Sequence, residues 1–245
     1  MSTWQIRDAT AVEWLDADTT DNRDLEHNLS DIRRINALLG WTTFTSRAVT
    51  GWMRRKPQRA WSLLDVASGS ADIPIAIARA AERAGIDLRI TATDRNPHIV
   101  AIARRQSANV PAIQVELQDA LALPYATGGF DIALCTLALH HFVPDDACAL
   151  LRSLARVGRR IIVCDVVRSP LAYAGVVALT RLSRMHPMTC HDGPASVRRA
   201  YSADEVRALA TEAGLEQAEV RVDFPFRLML TANGAVPLER DPNAV

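Results

Sequence analysis

The chain has 245 residues, of which 49% are hydrophobic, and its 28 basic and 28 acidic side chains leave no net charge. This length suits one α/β domain with additional elements, and the apolar content is sufficient for a core. Without a basic excess, nucleic acid and membrane surfaces are not expected as partners, and no apolar run reaches the ~18 residues of a membrane-spanning helix.

The four cysteines are widely spaced, and the first residues of the chain contain no apolar signal segment. Cysteines that bind a metal usually occur as closely spaced pairs, a pattern that this sequence lacks. Two of the four, Cys135 and Cys164, lie within apolar runs, as buried thiols do. We therefore expect a reduced, cytoplasmic protein without a metal site.

Residues 1–58 are polar at first and then amphipathic, and we predict that they form an N-terminal helical cap. Apolar residues recur at helical spacing over 24–39, and a second helix is predicted over 42–55. These helices can pack over one end of a sheet, or they can cover a ligand with Arg33 and Asn36 facing inward. We favour packing for most of their residues.

The chain then reaches a stretch that is typical of nucleotide-binding α/β units. Residues 61–66 form a short apolar run, which predicts a buried strand, and residues 72–83 have the apolar spacing of a helix. Residues 67–71, between them, are all small. Because a ligand can lie against the bare backbone of such a turn, near the helix N-terminus, we expect residues 67–71 to face a ligand.

Two ligand classes use this opening, and the spacing of the small residues distinguishes them. A dinucleotide site requires glycine at the three positions of G-x-G-x-x-G, which here hold Ala67, Gly69 and Asp72. A carboxylate at the third position would lie where the helix packs and the pyrophosphate binds. The stretch therefore disfavours NAD and FAD, while an ordinary strand–helix turn without a ligand stays open.

Strands and helices continue to alternate after this unit, which indicates a parallel sheet with helices on both faces. Strands are predicted at 88–93, 113–117, 130–135 and 160–167, and helices at 97–107 and 144–157.

The alternation breaks between residues 168 and 200, where a helix over 171–185 and a loop over 186–194 are predicted. A helix at 203–213 and strands at 216–222 and 226–230 follow. The expected fold is α/β: a Rossmann-like, doubly wound, seven-stranded and mostly parallel sheet. We assign it to one domain, 59–232, with a helical insertion, 168–200, and a tail, 233–245.

Acidic residues recur where the predicted strands end. Asp65, Asp94 and Asp119 occupy the ends of three successive strands, and residues 136–141 follow the next strand. Because open parallel sheets bind ligands at the carboxyl ends of their strands, these residues are expected to share one site. As isolated residues, each acid can also be a helix cap or a surface charge.

Four stretches, 65–71, 92–97, 118–124 and 130–142, resemble in order and spacing the class I S-adenosylmethionine-dependent methyltransferases. The resemblance extends over residues 60–232 and is nearest to the ubiquinone/menaquinone-biosynthesis branch. Residues 191–201 are similar to small-molecule methyltransferases found beside bacterial type III polyketide synthases. In the first stretch, Ala67 and Ala71 replace two glycines of the family motif.

This resemblance implies S-adenosyl-L-methionine as the cofactor and S-adenosyl-L-homocysteine as the product. It implies that Asp94 binds the ribose, Asp119 the adenine, and the loop at Gly69 the methionine end. The expected cofactor-binding residues are Asp65, Ala67, Ser68, Gly69, Asp94, Arg95, Asp119, Ala120, Thr136 and Leu137.

The residues after the fourth predicted strand narrow the class of molecule that can accept the methyl group. Enzymes that methylate amino groups of nucleobases or of glutamine carry [DN]-P-P-[YF] there, whereas this chain has Thr-Leu-Ala-Leu at 136–139. A small-molecule acceptor is therefore expected, and nucleic acid is not. His140 and His141 are the candidate catalytic residues because a histidine can take the proton of an attacking hydroxyl.

We prefer His140 as the general base and expect the other histidine to be structural, although catalysis by proximity alone stays open. In the insertion, His191, Arg198 and Tyr201 either line the substrate pocket or form a surface lid. Together with Arg33 and Asn36, they are the candidate substrate-binding residues.

The leading hypothesis is O-methylation of a hydroxylated aromatic or polyketide natural product. C-methylation of a quinone-type ring is the nearest alternative, and a non-catalytic, cofactor-binding partner subunit is a second. An NAD-dependent reductase is disfavoured by Asp72. A homodimer is left open.

Overall fold

The structure is a computed structural model, and it describes residues 4, 6–8, 10–16, 21–56 and 60–236. The helices are α1 Asn22–Leu38, α2 Trp41–Met53, α3 Asp72–Arg83, α4 Pro97–Ser107, α5 Pro144–Val157, α6 Pro170–Leu182, α7 Pro187–Arg199 and α8 Ala203–Glu212. The strands are β1 Ala60–Val66, β2 Asp87–Asp94, β3 Ile113–Leu117, β4 Phe130–Thr136, β5 Gly158–Val166, β6 Glu219–Asp223 and β7 Arg227–Asn233. Short 3-10 turns lie at Trp14–Asp16 and Leu139–His141.

The seven strands form one sheet in the order β3-β2-β1-β4-β5-β7-β6. The first five pair in parallel, whereas β7 runs antiparallel to both β5 and β6. This arrangement confirms the predicted seven-stranded, mostly parallel sheet. The strand order reverses between β1 and β4, which is the position where doubly wound sheets open a ligand crevice.

Each face of the sheet has its own apolar core. On one face, Leu63 of β1 packs in a cluster with Ile77 of α3 and Met53 of α2. On the other face, Leu64 packs in a cluster with Leu151 of α5 and other residues of α5 and α8. Because both faces are covered, the central strands consist of near-continuous apolar runs rather than alternating ones, as buried parallel strands do.

Helix α1 packs on the domain at the carboxyl ends of its strands, whereas α2 packs against α3 on one face of the sheet. Leu25 and Leu29 of α1 form a small cluster with Ile99 and Ile102 of α4. The carboxamide nitrogen of Asn36, in the last turn of α1, donates to an oxygen of Asp72 at 2.9 Å. These contacts hold α1 over the crevice.

The insertion differs from the expected structure at one place. Residues 187–194, predicted as a loop, belong to helix α7, which contains Gly193 and Pro194 despite their low helix propensity. Tertiary contacts decide this segment, because α7 buries Met188 and Val197, and its buried Asp192 accepts hydrogen bonds from the backbone of residues 14 and 15.

The two ends of the chain also differ in part from expectation. Asn233, predicted as the start of the tail, is the last residue of β7, and the N–H of Gly234 donates to the carbonyl of Arg159. Residues 237–245 of the predicted tail lie outside the described residues. Within the described part of the chain, none of the helices combines the length and apolar character needed to span a membrane.

Candidate active site

A cavity of about 700 Å³ opens at the carboxyl ends of β1, β2 and β4, beneath α1. Nine of the ten expected cofactor residues line it: Ala67, Ser68, Gly69, Asp94, Arg95, Asp119, Ala120, Thr136 and Leu137. The sheet topology therefore brings together residues that are far apart in the sequence. A volume of this size matches the pockets that hold cofactors and small substrates.

The loop after β1 has a backbone that turns repeatedly through left-handed conformations. Residues 67, 69 and 71 have φ values of 54°, 55° and 62°. A Cβ placed on Gly69 would meet no atom within 4 Å, so this residue leaves open space at the cavity wall. The two alanines adopt the same conformation at a cost of roughly 1–2 kcal/mol each.

Ala71 does not face the cavity, contrary to the expectation that residues 67–71 contact the ligand. Its side chain is fully buried and packs with Ala92 of β2, Val100 and Ala103 of α4, and Val115 of β3. The loop curls inward after Gly69 because α3 begins immediately at Asp72. Only the first part of the loop is open to a ligand.

Asp94, at the end of β2, is hydrogen-bonded both to the loop after β1 and to the segment that follows β2. Its Oδ2 accepts from the backbone N–H of Gly69 at 3.1 Å, and its Oδ1 accepts from the N–H of Asn96 at 3.0 Å. Burial raises the pKa of this carboxyl, while the two backbone donors and Arg95 lower it. Each carboxylate oxygen can accept further hydrogen bonds, so the group can bind the two neighbouring hydroxyls of a ribose.

Asp119 and Ala120 form the adjoining part of the wall with Gln118 and Leu121. The Oδ1 of Asp119 accepts from the N–H of Leu121 at 2.9 Å, which orients the carboxylate. The Asp119 carboxylate can accept a hydrogen bond from the amino group of an adenine, and the backbone at Ala120 can lie beside the flat ring. The donors and acceptors around the cavity therefore fit S-adenosylmethionine.

Asp65 is the expected cofactor residue that does not line the cavity. It is 1% exposed, beneath the loop, and its backbone carbonyl accepts from the hydroxyls of Ser68 and Thr93. Burial raises the pKa of Asp65 to about 7, aided by the charges of Asp72 and Asp94. In the described residues its Oδ1 has no hydrogen-bond partner. Asp65 therefore supports the loop from below.

The N-terminal helices supply much of the remaining wall. The apolar side chains that face the cavity from α1, from its C-cap and from the start of α2 are Leu29, Ile32, Ile35, Leu39 and Trp41. Phe142, Val166, Val176 and Val197 line the cavity with them. The sequence analysis assigned most of these helices to packing. The available signal was the three-residue spacing of Leu29, Ile32 and Ile35.

Of the five candidate substrate-binding residues, the structure brings only Asn36 to the cavity wall, and Arg33, His191, Arg198 and Tyr201 do not line it. His191 stacks on Trp14 with ring centroids 4.3 Å apart, and Arg198 pairs with Asp8. The hydroxyl of Tyr201 donates to the carbonyl of Phe142. Three of these four side chains are thus committed to holding the N-terminal segment or the loop after β4.

His140 and His141 lie at one end of the cavity, and each is oriented by a carboxylate. The Nδ1 of His140 is 2.8 Å from an oxygen of Asp165, and the Nδ1 of His141 is 3.0 Å from an oxygen of Asp16. Because a carboxylate only accepts, each Nδ1 carries the hydrogen. Both rings therefore have a defined orientation.

The Nε2 atoms of the two histidines face the same residue, Glu13. The distances from its two carboxylate oxygens are 3.7 Å to the Nε2 of His140 and 3.7 Å to the Nε2 of His141. Glu13 is 2% exposed, and among the described residues its Oε1 has no hydrogen-bond partner. The sequence analysis missed Glu13 and Asp16, because nothing local marks two acids in a polar N-terminal segment.

Arg199 of α7 holds this end of the cavity together. It donates to Asp16 at 2.8 Å and to the backbone carbonyl of His141 at 2.6 Å. Burial lowers the pKa of His141, but the carboxylates of Glu13 and Asp16 outweigh it and raise the pKa above its usual range. The acids thus create a negative pocket around the two rings.

Residues 63–160 match the family described as "Methyltransferase domain". The chain is 32% identical over 130 residues to the ubiquinone/menaquinone biosynthesis C-methyltransferase UbiE of Dinoroseobacter shibae, covering 50% of this chain and 48% of the relative. It is 28% identical over 144 residues to the demethylmenaquinone methyltransferase of Thermus thermophilus, covering 58% and 62%. The chain thus spans about half to three fifths of the length of these relatives.

Solved structures share the fold. The citrinin polyketide synthase CMeT domain superposes with a TM-score of 0.63 at 14% identity, covering 80% of this chain and 53% of that chain. Magnesium protoporphyrin IX methyltransferase from Synechocystis PCC 6803, with bound SAH, gives a TM-score of 0.54 at 17% identity, covering 80% and 84%.

Proposed function

Because the chain belongs to the class I S-adenosylmethionine-dependent methyltransferases, we propose that it transfers a methyl group from that cofactor to a small molecule bound beneath α1. When bound, the cofactor supplies an electrophilic methyl group on a sulfonium sulfur. The observation that carries the proposal is the hydrogen bond from Gly69 to Asp94 beside the open loop. It lies at the sheet's switch point, where such ligands bind.

The residues proposed to hold the cofactor lie on three adjacent strand ends. The first part of the loop after β1, at Ala67–Ser68–Gly69, is proposed to take the methionine end. Asp94 is proposed to bind the ribose hydroxyls, and Asp119 with Ala120 the adenine. Arg95, Thr136 and Leu137 complete the wall. Asp65 contributes by fixing the loop, since its carbonyl holds Ser68 in place.

The acceptor is proposed to be a hydroxylated aromatic or polyketide natural product that is methylated on oxygen. The wall formed by α1 and Trp41 is apolar and suits a hydrophobic ring system. The opposite end carries the histidine pair and Glu13, which suit an oxygen substituent. Asn36 is retained as a substrate-binding candidate, although its carboxamide also bonds to Asp72.

C-methylation of a quinone-type ring is the second candidate. Two relatives favour it by name, the C-methyltransferase UbiE and the citrinin polyketide synthase CMeT domain. The same cofactor region and the same apolar wall would serve both reactions. They differ in the acceptor atom presented to the methyl group.

His140 and His141 are proposed as the catalytic residues because both present Nε2 at the polar end of the cavity. The Asp165 carboxylate orients the His140 ring through Nδ1 and also accepts from the His140 backbone N–H at 3.0 Å. For an acceptor that is already acidic, its orientation against the methyl group within the cavity supplies much of the acceleration. For a less acidic hydroxyl, a neutral histidine ring, His140 by preference, must also take the hydroxyl proton as the oxygen attacks the methyl group.

Calorimetry with S-adenosylhomocysteine and with NADH tests the cofactor assignment first. We expect binding of the former and none of the latter; the reverse result would overturn the proposal. Incubation with methyl-labelled cofactor and a panel of phenols and quinols then tests catalysis, and the product structure separates O- from C-methylation. Binding without transfer to any acceptor would favour the non-catalytic partner subunit.

A further inference from the structure

The polar end of the cavity contains three side chains whose ligand atoms converge. One ring nitrogen each of His140 and His141 and one carboxylate oxygen of Glu13 lie within 4.8 Å of one another, and each Nε2 atom is 3.7 Å from an oxygen of Glu13. We propose that these three residues bind a divalent first-row transition metal ion of the Zn²⁺ or Fe²⁺ type, with an open coordination position facing the acceptor. This inference rests on the proposed function for the identity of that acceptor.

The first observation that supports an ion is the unsatisfied carboxylate of Glu13. The side chain is buried, and its Oε1 has no hydrogen-bond partner among the described residues. Its distances to the two Nε2 atoms, 3.7 Å each, are too long for hydrogen bonds. Burying a carboxylate oxygen that accepts no hydrogen bond is costly, and a cation between Glu13 and the rings would lower that cost.

The second observation is the orientation of the rings. A histidine that binds a metal nearly always donates its other ring N–H to a carboxylate or carbonyl, which fixes the ring and raises its basicity. Asp165 accepts from the Nδ1 of His140, and Asp16 from the Nδ1 of His141. With its hydrogen on Nδ1, each ring in its neutral form has an Nε2 lone pair available to an ion.

The spacing is close to what an ion requires. Two ligands about 2.1 Å from a tetrahedral ion are separated by about 3.4 Å. The two 3.7 Å distances from Glu13 therefore need only a small closure, and the three groups, whose ligand atoms lie within 4.8 Å of one another, must draw together around the ion. Two imidazoles and one carboxylate, with a position left open, are a ligand set for Zn²⁺ and for Fe²⁺. Arg199 lies 3.8 Å from Glu13 but directs its short hydrogen bonds to Asp16 and to the carbonyl of His141.

The ion would change the role of the histidines in the proposed reaction. With Nε2 bound to the metal, neither ring can act as a general base, and the ion itself polarises an acceptor oxygen at the open position. The acceptor class becomes narrower: a molecule with an anionic or readily ionised oxygen next to the atom that is methylated.

The test uses the full chain, treated with a chelator and dialysed, then titrated with Zn²⁺ by calorimetry and, in parallel, with Co²⁺ by visible absorption. We expect one tightly bound ion per chain and a tetrahedral or five-coordinate Co²⁺ spectrum. Glu13→Gln and His141→Gln are expected to weaken Zn²⁺ binding at least ~100-fold, and Asp16→Asn, which acts through His141, ~10–100-fold.

His27→Gln is the matched control, because His27 also stacks on a second histidine, His186, at 5.4 Å, but outside the cavity. It should bind Zn²⁺ as the unmodified chain does. Absence of tight binding, or equal loss in the His27 variant, would overturn the metal site. S-adenosylhomocysteine titrated into the same samples separates the two proposals, since a chain that binds it but no metal keeps the methyltransferase proposal intact.

Discussion

Asp94 accepts a hydrogen bond from the backbone N–H of Gly69 at 3.1 Å, so the end of β2 fixes the loop that follows β1. The two residues are neighbours because β1 and β2 pair in parallel, with Val66 opposite Thr93. One carboxylate therefore both shapes the loop and remains able to bind a ribose. This dual role makes Asp94 the most informative position for testing the cofactor site.

Replacing Asp94 by Ala would remove the proposed charge-assisted hydrogen bonds to the ribose, each worth ~1.5–3 kcal/mol. The affinity for S-adenosylhomocysteine should fall at least ~10-fold, as measured by calorimetry. Asp87→Ala, at the exposed start of the same strand, is the control and should bind normally. Unchanged binding in a folded Asp94 variant would contradict the cofactor assignment.

Because residues 67, 69 and 71 have left-handed backbone conformations, replacing alanine by glycine and glycine by alanine should change the stability of the chain in opposite directions. Ala67→Gly relieves a φ of 54° and should stabilise the chain by about 0.5–1 kcal/mol in denaturant unfolding. Ala71→Gly should gain less, because the buried methyl group of Ala71 packs in the core and its loss leaves a gap.

Gly69→Ala should behave differently from both. Its new methyl group meets no protein atom but imposes the cost of a left-handed alanine, about 1–2 kcal/mol, and occupies space at the cavity wall. We expect reduced stability together with weaker binding of S-adenosylhomocysteine. A variant that lost stability but bound the ligand normally would show that the ligand does not approach this backbone.

Asp65 predicts a specific dependence of stability on pH. Its folded-state pKa is raised to about 7, above the unfolded value of about 3.9, so between these limits the folded chain binds more protons than the unfolded chain. Through Asp65, the free energy of unfolding therefore falls as pH rises from about 4 to 7.

Asp65→Asn removes this ionisation. The ligand-free variant should show a smaller fall in Tm between pH 5 and pH 7.5 than the unmodified chain, and Glu82→Gln on exposed α3 surface should leave the slope unchanged. Parallel pH profiles for the Asp65 variant and the unmodified chain would mean that the burial of this carboxyl does not penalise its charge.

The histidine pair predicts a separation of catalysis from cofactor binding. His140→Gln and His141→Gln should each lower kcat by ~10²–10⁴-fold while affinity for S-adenosylhomocysteine stays near that of the unmodified chain. The loss should be larger for a weakly acidic hydroxyl than for an acidic phenol, which needs less assistance. Full activity of both variants on a weakly acidic hydroxyl would place the catalytic groups elsewhere.

The α1 wall predicts a change in acceptor binding alone. Ile35→Ala enlarges the apolar cavity and should raise KM for the acceptor ~10-fold or more, with little effect on cofactor affinity. Leu38→Ala, on the exposed side of the same helix, is the matched control and should change neither. Equal effects of the two variants would indicate that α1 acts only through its overall stability.

Much of the wall of the proposed cofactor region could be predicted from the sequence because it depends on local patterns. Apolar runs of strand length, a small-residue turn and acids at strand ends identify the loop at Gly69, Asp94 and Asp119 without knowledge of the packing. Parallel strands place their carboxyl ends at one edge of a sheet, so three such positions converge once the β-α alternation is recognised. The placement of Asp65 and Ala71 below the loop depends on side-chain direction, which these patterns do not specify.

The end of the cavity proposed to bind the acceptor is determined by the tertiary structure. Glu13 meets His140 across 127 positions of sequence, through a segment whose residues carry no periodic pattern. Helix α7 forms where Gly193 and Pro194 predict a loop, because Asp192 and Val197 gain buried partners. Local propensity differs by only ~1 kcal/mol among most residues, whereas burial and buried hydrogen bonds contribute as much or more per residue. Contacts between distant segments therefore determine this end of the cavity, and no short window of sequence contains them.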